Sequence, residues 1–135
     1  MKIDKGKFFI SPSDLNNFVA CKFTIKNEIK FHNKEISKIA ERVNDKLWKE
    51  MGIEHEKKHF KLFKDKYKKS ITIKSDLDEK HRLNETIRAM EKGYDLIYHA
   101  YLVDGDLRGE ADFLIKCDTP SDLGNYSYEV YDTKI

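Results

Sequence analysis

Leu96-Ile97-Tyr98-His99-Ala100-Tyr101-Leu102-Val103, then Asp104-Gly105-Asp106, then Leu107 to Cys117: the reading of this stretch decides the fold. Both flanking runs are rich in β-branched and aromatic residues, which fit a pleated, half-buried surface. The Asp-Gly-Asp between them reads as a turn, so the pair is expected to form a hairpin. A polar loop with Pro120 and Gly124 follows, and Tyr126 to Ile135 reads as a third strand. Residues 95–135 are therefore expected to form a β-meander.

Upstream, residues 11–93 read as mainly helical. Ser11-Pro12-Ser13-Asp14 is a helix start, with a hydroxyl cap and proline in the first turn. Leu15, Phe18, Val19 and Phe23 supply the apolar stripe of a short helix, while residues 24–35 show no clear period. From about Ile36 the apolar positions Ile39, Val43, Leu47 and Met51, with His55, step by four. Phe60, Phe63 and Tyr67 continue after a shift near Gly52, which predicts a break between two helices there. Ile71 to Ile73 suits a short strand, and Leu83 to Lys92 a helix closed by Gly93. Helices first and a meander last imply an α+β arrangement, helices packed on a small sheet, in a single domain over 1–135.

Composition narrows the class. Apolar residues make up 39% and aromatics 12%, which excludes a disordered chain despite 37% charged residues. No run is long and apolar enough to span a membrane, and the amino terminus has no apolar signal core. Two cysteines, Cys21 and Cys117, without a C-x-x-C pair argue against a disulfide scaffold, so the cytoplasm is the expected compartment. The net charge of +2 hides a division. Residues 1–74 carry 19 Lys and Arg against 10 Asp and Glu, whereas residues 75–135 carry 7 against 14. The densest basic stretch, Lys57 to Lys74, is either a solvated helix face or a surface for phosphates.

Two motifs compete for the chemistry. His55-Glu56-Lys57-Lys58-His59 fits H-E-x-x-H, in which two histidines one helical turn apart hold zinc and the glutamate acts as base. Its two central lysines suit a solvent-facing helix better than a buried zinc helix, leaving a metalloprotease as the distant alternative and His59 as an expected surface residue. The other motif is dispersed. Glu110 and Asp112 share one face of a strand, as do Asp132 and Lys134. If the two strands pair with these faces aligned, a carboxylate from each can meet around one hard cation, with Lys134 beside it. Carboxylates, a divalent metal and a lysine are the parts needed for phosphodiester hydrolysis.

The ordered set of motifs resembles the PD-(D/E)xK nuclease superfamily, in its RecB-like branch. The residues concerned are Ser11-Pro12-Ser13-Asp14-Leu15, Cys21, Gly52-x-x-His55-Glu56, Thr86-x-x-Ala89-Met90-x-x-Gly93, Gly109-x-Ala111-Asp112-Phe113-Leu114 and Tyr128-Glu129-Val130-x-Asp132-Thr133-Lys134. The chain is most similar to RecB-like nucleases that occur fused to helicase or ribonuclease-H-like domains. The resemblance implies a restriction-endonuclease-like core and a Mg2+- or Mn2+-dependent nuclease acting on nucleic acid, with DNA as the substrate. It makes His55, Asp112, Asp132 and the Thr133 carbonyl the metal ligands and Lys134 the catalytic lysine. Glu56 becomes an accessory ligand or a support to the ligands. It also implies two departures. The family continues past the D-x-K strand into a helix with a Gln-x-x-x-Tyr element, so the chain reads as an amino-terminal part, and an inactive fragment is one alternative. Some relatives hold an iron–sulfur cluster. Cys21 matches its early cysteine and nothing matches the late ones, so Cys21 is expected to be a small residue on a helix's apolar side.

The expected division of labour follows. The acidic half would bind the metal, and Lys57, Lys58, Lys61, Lys64 and Lys68 would hold the nucleic-acid backbone without reading sequence. A non-catalytic nucleic-acid-binding module is the rival from another class, since it needs the lysines and no metal.

Overall fold

Ser11 opens the first helix as its surroundings demand. In the computed structural model, which describes residues 1–135, its side chain accepts from the Asp14 amide, and the Asp14 carboxylate accepts from the Ser11 amide at 2.8 Å. This reciprocal capping satisfies two amides that the helix itself leaves unpaired. The architecture is α+β, with four helices and a mixed four-stranded sheet. No helix is long and apolar enough to cross a membrane.

The chain divides into two compact units, Met1–Arg42 with Val103–Gly109, and Val43–Leu102 with Glu110–Ile135. The first begins with a hairpin absent from the sequence expectation: β1 (Lys2–Asp4) pairs antiparallel with β2 (Lys7–Phe9). Lys5 and Gly6, both at positive φ, make the two-residue turn. Helices α1 (Pro12–Ala20) and α2 (Lys22–His32) follow, hinged at Cys21. Cys21 is exposed rather than set on an apolar face, because the chain turns there and the residue ends one helix and begins the next. Asp14 is buried. Burial pulls its carboxyl upward, but bonds from the Met1 ammonium (2.6 Å) and Ser11 outweigh that and hold it below the usual carboxylate range. Gly109 leaves room for Pro12, whose ring lies 3.1 Å from where a Cβ would stand.

The second unit carries the sheet. Helix α3 (Val43–Lys66) leads to β3 (Ser70–Thr72), α4 (Glu79–Glu91) and β4 (Leu96–Asp104). Strands β5 (Leu107–Cys117) and β6 (Ser127–Tyr131) complete it. The strand order is β3-β4-β5-β6, with β3 parallel to β4 and β5 antiparallel to β6. The last three strands thus form the expected meander, and β3-α4-β4 adds a parallel crossover that the sequence had not announced.

Both faces of the sheet are covered. On one side Ala89 of α4 clusters with Ile73, Ile97, Ala100, Ala111 and Leu114, all buried. Towards α3 lie Leu96, Tyr98, Phe113 and Ile115, packed against Phe60, Phe63 and Tyr67. Phe60 stacks on Tyr98 at 4.2 Å, and Phe63 meets Phe113 edge-on at 5.0 Å. Such aromatic pairs add about 0.5–1.5 kcal/mol each beyond area burial.

Three boundaries differ from expectation. Helix α3 starts at Val43, not near Ile36, so Ile36 and Ile39 lie outside it and the four-residue step overstated its length. It runs unbroken through Gly52. One glycine costs about 1 kcal/mol, which the packing of Phe60 and Phe63 further along the helix offsets. Helix α4 starts four residues before Leu83, capped by Asp78, and closes as expected. Gly93 at φ +63 lets its amide reach Met90 O at 2.9 Å and the Tyr94 amide reach Ala89 O at 3.2 Å.

Candidate active site

The pairing of β5 with β6 places the two aspartates. Phe113 stands opposite Tyr131 as the last pair of the ladder. One step further along this antiparallel register, Asp112 falls opposite Asp132. The third strand stops at Tyr131 rather than running to Ile135, so Asp132, Thr133 and Lys134 form an irregular extension. Asp112 holds that extension. Its Oδ2 accepts from the Thr133 amide at 3.0 Å and from Thr133 Oγ1 at 3.2 Å. Asp132 is bonded to Asp112 on one side and ion-paired with Lys134 on the other.

Electrostatics separate the two carboxyls. Burial pushes Asp112 up; the bond to Asp132 and the charges of Glu56 and Asp132 add to this, while the Thr133 amide acts against it. Asp132 is held low by Lys134 and then by Asp112, and Lys134 is raised by Asp132 in return. Adjacent carboxyls that cannot both ionise freely share a proton in this way.

Helix α3 brings the third part. His55 and His59, one turn apart, have ring centroids 4.5 Å apart. Together with Phe63, Phe113 and Tyr131 they line an open cleft of about 250 Å³, whose far side is Asp132, Thr133 and Lys134. His59 is thus half-buried in a cleft wall, not a free surface residue. Glu56 points elsewhere. Its Oε1 lies 2.6 Å from His99 Nε2, and the Tyr98 hydroxyl bonds to it. Burial first, and then this bond and the surrounding carboxylates, push the Tyr98 hydroxyl far up. His99 Nδ1 faces Glu110 Oε1 at 3.9 Å, and Glu110 is paired with Arg82 of α4.

His55, Asp112, Asp132, Thr133 and Lys134 are therefore gathered at one place, with Glu56 close enough for its charge to act on Asp112. As arranged, no three His, Cys, Asp and Glu side chains form a group able to hold a metal ion. The lysines are disposed differently from expectation. All five are exposed. At about 100° per residue, Lys57, Lys61 and Lys64 fall on the side of α3 opposite His55 and His59. Lys58 pairs with Glu54 at 3.0 Å, and Lys68 lies beyond the helix end. Of the lysines on α3, Lys66 falls on the same side as His55 and His59, and its charge acts on Tyr131.

Tyr98, His99 and Arg82 were not singled out from the sequence as functional. The available signal was a histidine interrupting the apolar run 96–103. No protein-family model, curated protein or solved structure matches this chain.

Proposed function

We propose that the chain is a metal-dependent nuclease domain of the RecB-like PD-(D/E)xK type, built on a restriction-endonuclease-like core and hydrolysing phosphodiester bonds of DNA. The observation that carries this reading is the bonding of Asp112 to both Asp132 and Thr133, with Lys134 on the same three-residue extension. A sequence pattern spread over 80 residues of chain, from His55 to Lys134, predicts that convergence, and chance placement has no reason to produce it.

Asp112 and Asp132 supply oxygen donors of the kind a hard divalent cation takes. As arranged they do not form a metal-holding group with His55 or Glu56, so cation binding would have to draw a further ligand towards the aspartate pair. Asp112, Asp132, His55 and the Thr133 carbonyl would hold Mg2+ or Mn2+, which would polarise the phosphodiester and lower the pKa of a bound water. The chain's own residues do the rest. Asp112 fixes the Asp132–Lys134 extension through its two bonds from Thr133. Asp132 keeps Lys134 charged at the cleft. Lys134 Nζ donates to the attacking water, or to a phosphate oxygen as negative charge builds on it. Phe63, Phe113 and Tyr131 form the aromatic part of the cleft lining.

The test is cleavage of end-labelled DNA with magnesium, with manganese and with a chelator. Wild type should cut only with divalent metal, and Asp112→Ala and Lys134→Ala should each abolish cutting. Full activity in both variants would remove the assignment. DNA binding that is unaffected by metal and never leads to cleavage would favour the non-catalytic module.

A further inference from the structure

We propose that the first turns of α3 are a self-association surface, on which two copies of the chain pair antiparallel through Val43, Leu47, Trp48 and Met51. The inference stands apart from the nuclease reading and needs neither metal nor DNA.

Helix α3 packs on the sheet with its carboxy-terminal third, through Phe60 and Phe63. Its first turns are different, for every residue from Val43 to Met51 is exposed. Helix turns without a buried face are marginal in water, because most helical stability in proteins comes from packing of an amphipathic face. Such a face is present. At about 100° per residue, Val43, Leu47, Met51 and Trp48 follow one another around about 140° of the helix surface, with Asn44 the one polar residue among them. Asp45, Lys46, Lys49 and Glu50 occupy the remainder. The apolar side chains are exposed by 44% at Met51 and by as much as 83% at Val43. Tryptophan and methionine are residues that protein interfaces favour.

The charges at the edge of the face choose its partner. Lys46 and Glu50 lie one turn apart on the flank beside Val43, and neither has an ion pair within the chain. In an antiparallel pair about a two-fold axis, like flanks meet with the chain order reversed. An axis level with Trp48 sets Lys46 against the second copy's Glu50, and Glu50 against the second copy's Lys46. The same register brings Met51 between the second copy's Val43 and Leu47, and the two Trp48 rings together on the other flank. A parallel pair would set the Lys46–Glu50 flank against the second copy's Trp48 flank and leave these charges without partners. A second copy thus supplies both the apolar cover and the counter-charges that the segment lacks. Four side chains per copy are far fewer than the roughly 20–30 residues a side of a standard interface, so the dimer should dissociate on dilution.

Sedimentation velocity over a dilution series reads the association. Emission from Trp48, the chain's one tryptophan, reports its burial. Wild type should pass from monomer to dimer as concentration rises, with a blue shift of the emission and slower hydrogen exchange over residues 43–51. Trp48→Ala should weaken the dimer by about 30-fold or more. Lys46→Glu and Glu50→Lys each set like charges against one another across the axis, and each should weaken self-association about tenfold. An equal mixture of these two variants should associate at least as well as wild type, because every facing pair is then of opposite sign. Circular dichroism checks that the variants keep the fold. A wild type that stays monomeric up to millimolar concentration would overturn the proposal. So would a dimer indifferent to Trp48→Ala and Glu50→Lys, or a mixture that associates no better than its separate components.

Discussion

Replacing Asp112 by asparagine should leave stability close to wild type without metal and forfeit most of the gain that manganese brings. Asparagine keeps the shape and an acceptor oxygen for the Thr133 amide and hydroxyl, at 3.0 and 3.2 Å in the wild type. It removes a carboxyl that burial, Asp132 and Glu56 push upward. The sign follows from linkage. Below about 3.9, the ordinary aspartate value, both folded and unfolded chains hold the proton and the group is neutral to stability. Between that value and the raised folded one the unfolded chain ionises first, and above it the penalty on the fold is complete. Near neutral pH without metal, the asparagine protein is relieved of this penalty. It loses about 1 kcal/mol as the acceptor of Thr133 changes from charged to neutral. The two effects oppose each other, so its stability should lie within about 1 kcal/mol of wild type. Manganese at roughly a hundredfold over its dissociation constant should then add about 2.7 kcal/mol to wild type. At roughly 4 °C per kcal/mol for a chain of this length, that is a rise of about 10 °C. The variant should gain less than half as much. Thermal unfolding followed by circular dichroism, with and without manganese, reads both effects. Equal metal-induced shifts in the two proteins, or none in either, would refute the reasoning.

Other substitutions probe other links. Lys134→Ala should reduce cleavage by about 100-fold or more while moving stability by less than about 0.5 kcal/mol, because its ion pair with Asp132 is largely exposed; denaturant titration beside the kinetics checks both. Thr86 is fully buried, and its Oγ1 accepts from the Tyr101 amide at 3.0 Å while donating to Arg82 O. Thr86→Val should cost about 1–3 kcal/mol in urea unfolding, since it strands that amide. Phe113→Ala, emptying the α3-side core, should cost about 3–5 kcal/mol by the same measurement. Lys66→Ala should slow cleavage several-fold, and more than Lys57→Ala, Lys61→Ala and Lys64→Ala combined, because only Lys66 acts near Tyr131 at the cleft; the reverse order would place the substrate on the far side of α3.

Where a feature depends on chemistry within a few residues, it was legible. Ser11 with Asp14, and Gly93 after its helix, are local devices that declare themselves. The meander was legible because strand-forming runs and turn residues alternate there. The meeting of Asp112 with Asp132 and Lys134 was legible too, since an i, i+2 pattern on adjacent strands leaves few alternatives. Longer-range features were not. The three-residue strands β1 and β2 are too short to show a period, and although a short strand was expected at Ile71–Ile73, the parallel pairing of β3 with β4 was not. The start of α3 could not be placed by period alone, because Ile36 and Ile39 fit the same four-residue step as Val43 and Leu47 yet lie outside the helix. The positive φ of His99 lies inside a run that reads as regular strand, so only the structure reveals it. The lysine stripe shows the opposite failure. Its facing could have been drawn from the helical wheel, but charge density was read in place of direction.

The carboxy-terminal end of α4 is stitched to the strands that carry the Asp112 and Asp132–Lys134 group. Tyr126 donates to Met90 O and Glu91 O, Tyr128 donates to Tyr94 O at 2.7 Å, and Lys116 Nζ reaches Gly93 O. Strand β6 has a strand neighbour on one side only, so the tyrosine-to-carbonyl bonds add an anchor besides its pairing with β5. A disturbance that unwinds the last turn of α4, remote from any cleft residue, would slacken β6 at its root. Asp132 and Lys134, at its free tip, would drift out of register with Asp112 before any core side chain moved.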